Sequence, residues 1–338
     1  MRRVVRLFVI VSLLTLLVPP LTTGSAKKKS KPKSHPTVVS ISALWQEPAD
    51  IRTRDLFYGP GGKASEPQGD FKFIKEDPEG SSPKFDVEDR LGNKWRVKLG
   101  NEAQPETAAT RLLWAVGYYA DKDYYLPTIR VTGLPKLKRG GKFVSSDGTV
   151  RGARLELKTK GEKSVGQWSW VRNPFVGTKE LSGLKIMMAL INNFDLKDSN
   201  NDIYQTGDSY RYVVSDVGAS FGKTGHAFSR SRGKLKDYER SKFISKSTPD
   251  YVDLVLHSRP PIFLVFNLPY YLKRTHMEGI PKHIPRDDTR WFVGWLSQLS
   301  ERQIEDAFRS AGYSPTEVRG FTSVVRRRIT ELRNAVSS

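Results

Sequence analysis

Two carboxylates and an amide stand close together in the middle of this chain. They fall in Asp195-Leu196-Lys197-Asp198-Ser199-Asn200 and, after a short hairpin-like stretch, in Asp216-Val217-Gly218. Side chains of these types hold hard cations and orient hydroxyl groups. Mg²⁺ prefers oxygen ligands and commonly takes only one or two carboxylates from a protein. Phosphoryl transfer needs little more than cations on the phosphate oxygens and a carboxylate beside the acceptor. The pattern predicts Asn200 and Asp216 as metal ligands, Asp195 as the carboxylate that orients an acceptor, and Lys197 as a cation near the transferred group. Asn201 is close enough in register to replace Asn200. In the plainer reading, Asp198, Ser199, Asn201 and Asp202 cap turns and Asp216 is a structural Asp before Gly218. That reading treats the order and spacing of Asp195, Asn200 and Asp216 as coincidence.

Such loops need elements to hold them. Leu181 to Asn192 is an apolar helical run that leads into Asp195. Ile203-Tyr204 and Tyr212-Val213-Val214 read as a hairpin that leads into Asp216. Upstream, Phe71-Lys72-Phe73-Ile74, Lys84-Phe85-Asp86-Val87 and Lys94-Trp95-Arg96-Val97-Lys98-Leu99 alternate and are separated by turn residues, which predicts an antiparallel meander. Pro105 suits the first position of a helix over Ala108, Ala109, Leu112, Leu113 and Val116 that ends at Gly117. Leu155-Glu156-Leu157 is another strand. Residues 222–250, basic and weakly periodic, are expected to form a long mobile loop. Ser300-Glu301-Arg302-Gln303 has the order of a capping box, and Thr316 to Asn334 is a basic amphipathic helix. A β-rich first part followed by a helical second part predicts an α+β chain with two lobes. The expected division is a signal peptide over 1–26, a basic disordered linker over 27–42, a β-rich N-lobe over 43–160 and a helical C-lobe over 161–338.

Asp195-Leu196-Lys197 with Asn200 resembles the D-L-K-x-x-N catalytic loop of the protein-kinase-like superfamily, and Asp216-Val217-Gly218 stands where that family has D-F-G. The usual His-Arg is replaced by Asn193-Phe194. That departure resembles the atypical branch, similar to HipA-like and secreted kinases. In the HipA-like kinases an apolar helix ends in Asn-x-Asp with an Asn five residues after the Asp, as Leu190-Ile191-Asn192-Asn193-Phe194-Asp195 through Asn200 does here. The resemblance implies a two-lobed kinase-like fold that binds ATP with Mg²⁺. It implies that Lys98 grips the phosphates and pairs with Glu106, with Glu102 a rival four residues earlier. Gly80-Ser81-Ser82-Pro83-Lys84 resembles the phosphate loop of HipA-like kinases. Phe57-Tyr58-Gly59-Pro60-Gly61-Gly62 reads as a flexible turn or as a second phosphate-facing loop. The resemblance covers roughly residues 70 to 220.

The remaining features bound the setting. The 338 residues carry a formal charge of +20, which favours anionic partners without choosing among them. Arg2, Arg3 and Arg6, the apolar run Leu7 to Val18 and Gly24-Ser25-Ala26 read as an export signal, with an uncleaved anchor as the alternative. The expected compartment is periplasmic, extracellular or envelope-associated. Lys27 to Lys33 is a basic tether that can lie on an anionic surface. No cysteine occurs, which excludes disulfides, thiolate catalysis and Cys-ligated zinc. The histidines 35, 226, 257, 276 and 283 lack zinc spacing. Trp168 and Trp170 line a groove or pack a core. Arg326-Arg327-Arg328 is a solvated face before it is a nucleic-acid site, and nucleic acid is not an expected partner. Ile262 to Phe266 is expected to be a buried strand or short helix. The leading expectation is an exported kinase acting on a hydroxyl of a protein, glycan or small molecule, with an acidic acceptor suggested by the basic 222–250 segment. The alternatives are a catalytically silent binding module and a nucleotidyl transferase on the same fold.

Overall fold

Alternation gives the first strands one apolar face each, and these faces line the interior of a closed barrel. In the computed structural model, residues 44–80, 82–223, 230–256 and 263–337 are described. The expected signal peptide (1–26) and linker (27–42) lie outside the described residues, as does Ser81. Strands β1 (Phe71–Asp77), β2 (Lys84–Glu88) and β3 (Lys94–Leu99) form the predicted meander. Helix α1 (Ala103–Ala115) follows, then β4 (Asp123–Thr132) and β5 (Thr149–Leu157). The order β1-β2-β3-β5-β4 closes where β1 pairs in parallel with β4 at Phe71↔Val131. One face of each strand fills the interior with Phe85, Val87, Trp95, Val97, Ala153 and Leu155. The period of two then sends the intervening residues outward. On β3 and β5 those residues are Arg96, Lys98, Arg154 and Glu156, with Lys98 opposite Arg154 and Arg96 opposite Glu156.

Helix α1 begins two residues before Pro105. Gly117, at φ 98°, follows its end, and a side chain there would meet the Gln46 carbonyl at 2.4 Å. Strand β6 (Lys163–Gln167) leads to α2 (Lys179–Leu190), which Thr178 caps through its hydroxyl. Helix α2 is apolar nearly all round because it is the buried axis of the second half. It packs on α6 (Arg286–Leu296) and α8 (Pro315–Ser337). Strands β7 (Asn201–Thr206) and β8 (Ser209–Val214) form the expected hairpin, and β6 adds a third strand to it. Trp168 and Trp170 are buried, and the Trp168 indole donates to the Val213 carbonyl at 3.0 Å, so they pack a core.

Residues 224–229 of the 222–250 segment lie outside the described residues, and the described part, 230–250, is not the irregular loop its composition suggests. Helix α3 (Leu235–Arg240) and strand β9 (Ile244–Ser247) lie within it. Strands β10 (Tyr251–Leu254) and β11 (Ile284–Pro285) complete a second three-stranded sheet with β9. Tyr238 anchors α3: it is fully buried, its hydroxyl donates to the Leu190 carbonyl at 2.5 Å, and its ring meets Phe221. Long-range aromatic packing sets this segment, so local periodicity could not report it. Between β10 and β11 come α4 (Phe263–Phe266) and α5 (Leu268–Gly279). Here the expectation of burial fails. Val265 and Phe266 are 79% and 77% exposed. Helix α7 (Glu301–Ser310) carries the predicted capping box, with Ser300 and Gln303 bonding reciprocally. In α8 the arginine triplet is not a uniform face. Arg328 is buried and donates to the carbonyls of Ala189 and Leu190 at 3.1 and 2.9 Å, satisfying the C-terminal end of α2. No helix among the described residues is long and apolar enough to cross a membrane.

Candidate active site

The barrel's charged outer face and the ends of β7 and β8 enclose a cavity of about 190 Å³. Its lining includes Gly80, Ser82, Lys84, Lys98, Glu106, Asn200 and Asp216. Lys98 is the centre. Its side chain is 7% exposed, and its ammonium lies 2.9 Å from Glu102, 2.8 Å from Glu106 and 3.1 Å from Asp216. The two glutamates are four residues apart on one face of the α1 entry, so both reach the same lysine. The rivalry between them therefore ends with both paired to Lys98. Their other contacts differ. Glu106 lies deep against Arg154, 3.6 Å away. Glu102 accepts from the Ser82 hydroxyl at 2.7 Å and from Arg232 at 2.5 Å.

Burial works to lower the Lys98 pKa, but the carboxylates of Glu106, Asp216 and Glu102 overcome it and hold the ammonium charged. Burial pushes Glu106 up to about 7, against the pull of Arg154 and Lys98. Burial also opposes ionisation of Asp216, yet Lys98 keeps its carboxyl below the usual range.

The Asp195 loop is locked by short contacts. Asn193 Oδ1 accepts from the Asp195 amide at 2.9 Å, and Asn200 Nδ2 donates to the Asp195 carbonyl at 2.7 Å. The Asn200 carbonyl in turn accepts from the Ser215 amide at 2.9 Å, which sets Asn200 beside Asp216. Asn201 points elsewhere: it is fully buried and donates to the Trp168 carbonyl, so the amide that faces the cavity is Asn200. Gly218 is required by close approach, since a Cβ there would lie 2.7 Å from the Glu102 Cβ and 3.2 Å from a Glu106 oxygen. A larger residue would force α1 away from Asp216.

Asp195 and Lys197 do not line this cavity; they stand beside it, joined through Asn200. Lys197 lies 2.6 Å from Asp195 Oδ2, and Arg274 of α5 lies 3.0 Å from Oδ1. Burial favours the protonated form of Asp195, but Lys197 and Arg274 hold its pKa below the ordinary carboxylate value. Lys84 pairs with Asp77 at 3.4 Å, and the Gly80 carbonyl accepts from Arg139. Three arginines that sequence reasoning missed therefore complete the site: Arg154, Arg232 and Arg274. Only Arg154 left a trace, as a charge between apolar Ala153 and Leu155 in a strand.

Asp216 Oδ2 and Asn200 Oδ1 accept no hydrogen bond from the described residues, and both residues line the cavity. One carboxylate and one amide suit Mg²⁺ that takes its other oxygens from phosphates and water. Such an ion would neutralise charge on the phosphate oxygens, while Lys98 adds a fixed cation beside it. No group of three or more His, Cys, Asp or Glu among the described residues forms a metal cage.

No family model matches the chain, and no curated protein matches it. A solved structure titled as a Helicobacter pylori proinflammatory kinase, CtkA, is similar over 80% of this chain and 99% of its own, with TM-score 0.45 and 10% identity. The functional reading rests on the residues of the cavity and not on that likeness.

Proposed function

We propose that the chain is a phosphotransferase that moves the γ-phosphoryl group of a nucleoside triphosphate, with Mg²⁺, to a hydroxyl acceptor. The observation that carries the reading is the buried Lys98, held by Glu106 at 2.8 Å and reaching Asp216 at 3.1 Å, with Asn200 facing the same cavity. In this reading Lys98 and Ser82 receive phosphate oxygens. Asp216 and Asn200 hold the cation. Asp195, kept anionic by Lys197 and Arg274, orients the acceptor hydroxyl. An anionic surface under the 27–33 tether and an acidic acceptor belong to the same proposal, supported by the +20 charge, and export belongs to it on the basic, apolar and small-residue order of residues 1–26.

One observation favours a silent binding module instead. Both oxygens of Asp195 are engaged by cations, and the residue stands outside the cavity lining. The two readings separate in one assay. The purified chain is incubated with γ-labelled nucleoside triphosphates and Mg²⁺, and label in phosphate and in acceptors is counted while product mass is recorded. Metal-dependent release or transfer of the γ-group supports the phosphotransferase. Addition of the nucleotidyl mass assigns the other transfer chemistry. Saturable binding with neither product establishes the module.

A further inference from the structure

The cleft continues past Lys98 into a second cavity of about 220 Å³, and Glu156 and Tyr204 line both. Phosphate-binding groups gather at the first. The second has what a flat ring needs: Leu157, Val213 and the Tyr204 side chain offer apolar surface, and Asp121 and Glu156 offer polar atoms. Resting on the phosphotransfer reading above, we propose that this second cavity seats the base of the nucleotide and selects guanine, which Glu156 and Asp121 read along its hydrogen-bonding edge.

The argument is one of donors and acceptors. Guanine presents an acceptor, O6, followed by two donors, N1–H and the N2 amino group. Adenine presents a donor followed by a bare acceptor at N1. The backbone donors nearest Glu156 are already used: the Leu157 amide donates to the Lys122 carbonyl and the Lys158 amide to the Lys94 carbonyl, each at 2.9 Å. Glu156 Oε2 accepts from Arg154 Nη1 at 2.9 Å, which fixes the carboxylate, and its Oε1 accepts no hydrogen bond. A carboxylate so placed accepts from two adjacent N–H groups and repels the lone pair of adenine N1.

Asp121 supplies the complement. Its side chain is 10% exposed, and its Oδ2 makes no hydrogen bond although Arg154 Nη2 lies 3.8 Å away. Arg154 Nη2 is likewise without a hydrogen-bond partner. Burial, and then the neighbouring Glu156, push the Asp121 carboxyl well above the ordinary range against the pull of Arg154, which favours the protonated form that can donate. A donor beside two acceptors is the complement of O6, N1–H and N2–H. An unfilled buried polar atom is costly, and a turn of the Asp121 side chain toward the cavity it lines would let a base seated there satisfy it.

The test ranks nucleotides on the whole chain by competition or thermal shift at fixed Mg²⁺. The expected order is GTP tighter than ITP, which lacks the N2 amino group, and both tighter than ATP. Each lost hydrogen bond should cost ~10-fold in Kd, the upper range for one net bond. Glu156→Gln should lose GTP and gain xanthosine triphosphate, because the amide can donate to the xanthine O2. ATP binding as tightly as GTP overturns the inference and leaves the phosphotransfer reading standing. No binding by any nucleoside triphosphate overturns both. If Glu156→Gln does not fold, the ranking on the unaltered chain decides.

Discussion

If the cavity binds a nucleotide as proposed, Glu102 occupies the place a phosphate would take, and removing its charge should tighten nucleotide binding. Its Oε2 accepts from Ser82 at 2.7 Å and pairs with Lys98 at 2.9 Å, while Oε1 takes Arg232 at 2.5 Å. A hydroxyl and two cations converge on one carboxylate, and a polyphosphate entering the cavity must displace it. Glu102→Gln keeps the size of the side chain and one acceptor but removes the charge. A hydrogen bond to a charged group is worth about 1.5–3 kcal/mol. A nucleotide that no longer has to break such a bond should bind ~10- to 100-fold more tightly. Glu106 must behave in the opposite way. It is buried between Lys98 and Arg154, and breaking a buried pair typically costs about 3–5 kcal/mol of stability. Glu106→Gln should therefore weaken nucleotide binding and lower Tm. Kd for the Mg²⁺ nucleotide, measured by calorimetry on the three proteins with Tm as a folding control, decides the matter. Weaker binding by Glu102→Gln, parallel to Glu106→Gln, would refute the reasoning and make Glu102 a second anchor of the lysine.

Further outcomes follow from the same geometry. Asp216→Ala should abolish metal-dependent nucleotide turnover while the circular dichroism spectrum stays unchanged; full turnover would sink the metal assignment. Asp195 has a lowered pKa, so its ionisation adds stability above the ordinary carboxylate range that is lost as pH falls through the folded value. Arg274→Gln removes one of the two cations opposing burial there, and the acidic limb of the kcat/KM profile should move to higher pH. Glu106 has the opposite sign: with a folded pKa of about 7, it takes up protons on folding, and its contribution to stability falls as pH rises through neutrality. If ionised Glu106 is what holds Lys98, nucleotide binding should strengthen over that window, and a flat Kd from pH 6 to 8 would contradict it. Phe221 is fully buried among Tyr238, Phe308 and Phe321, so Phe221→Ala should cost about 3–5 kcal/mol in denaturant unfolding, and a loss below 1 would show that the cluster is not cohesive.

Residues that act near their own element were legible from sequence. Lys98 announces itself as a charge at the end of an alternating strand, and Asp195, Asn200 and Asp216 follow an apolar helix and a hairpin at short spacing. Long-range choices were not legible. Whether Asn200 or Asn201 faces the cavity depends on which amide the Trp168 carbonyl captures. Arg274 reaches Asp195 from a helix 79 residues downstream, and Arg232 reaches Glu102 across 130. Strand β4 went unread because Pro127 and the charged Asp123 and Arg130 mask its alternation, although Asp123 is buried against Arg111 and Arg154. The run ending in Phe266 looked like core by composition, yet Leu264, Val265 and Phe266 are exposed.

Closure of the barrel has a kinetic consequence. Strand β1 gains its second neighbour only when β4 arrives, and the Thr132 hydroxyl meets the Phe71 carbonyl across 61 residues. The loop entropy of that span must be met before the pairing returns anything, so ring closure belongs among the slow, non-local steps of folding. Until then β1 is a strand with a bare edge, able to pair with another chain. Once the ring shuts, that edge is gone, and the wall carrying Lys98 is fixed from both sides. In a chain without a single cysteine, this topological clasp does the work that a disulfide would do elsewhere.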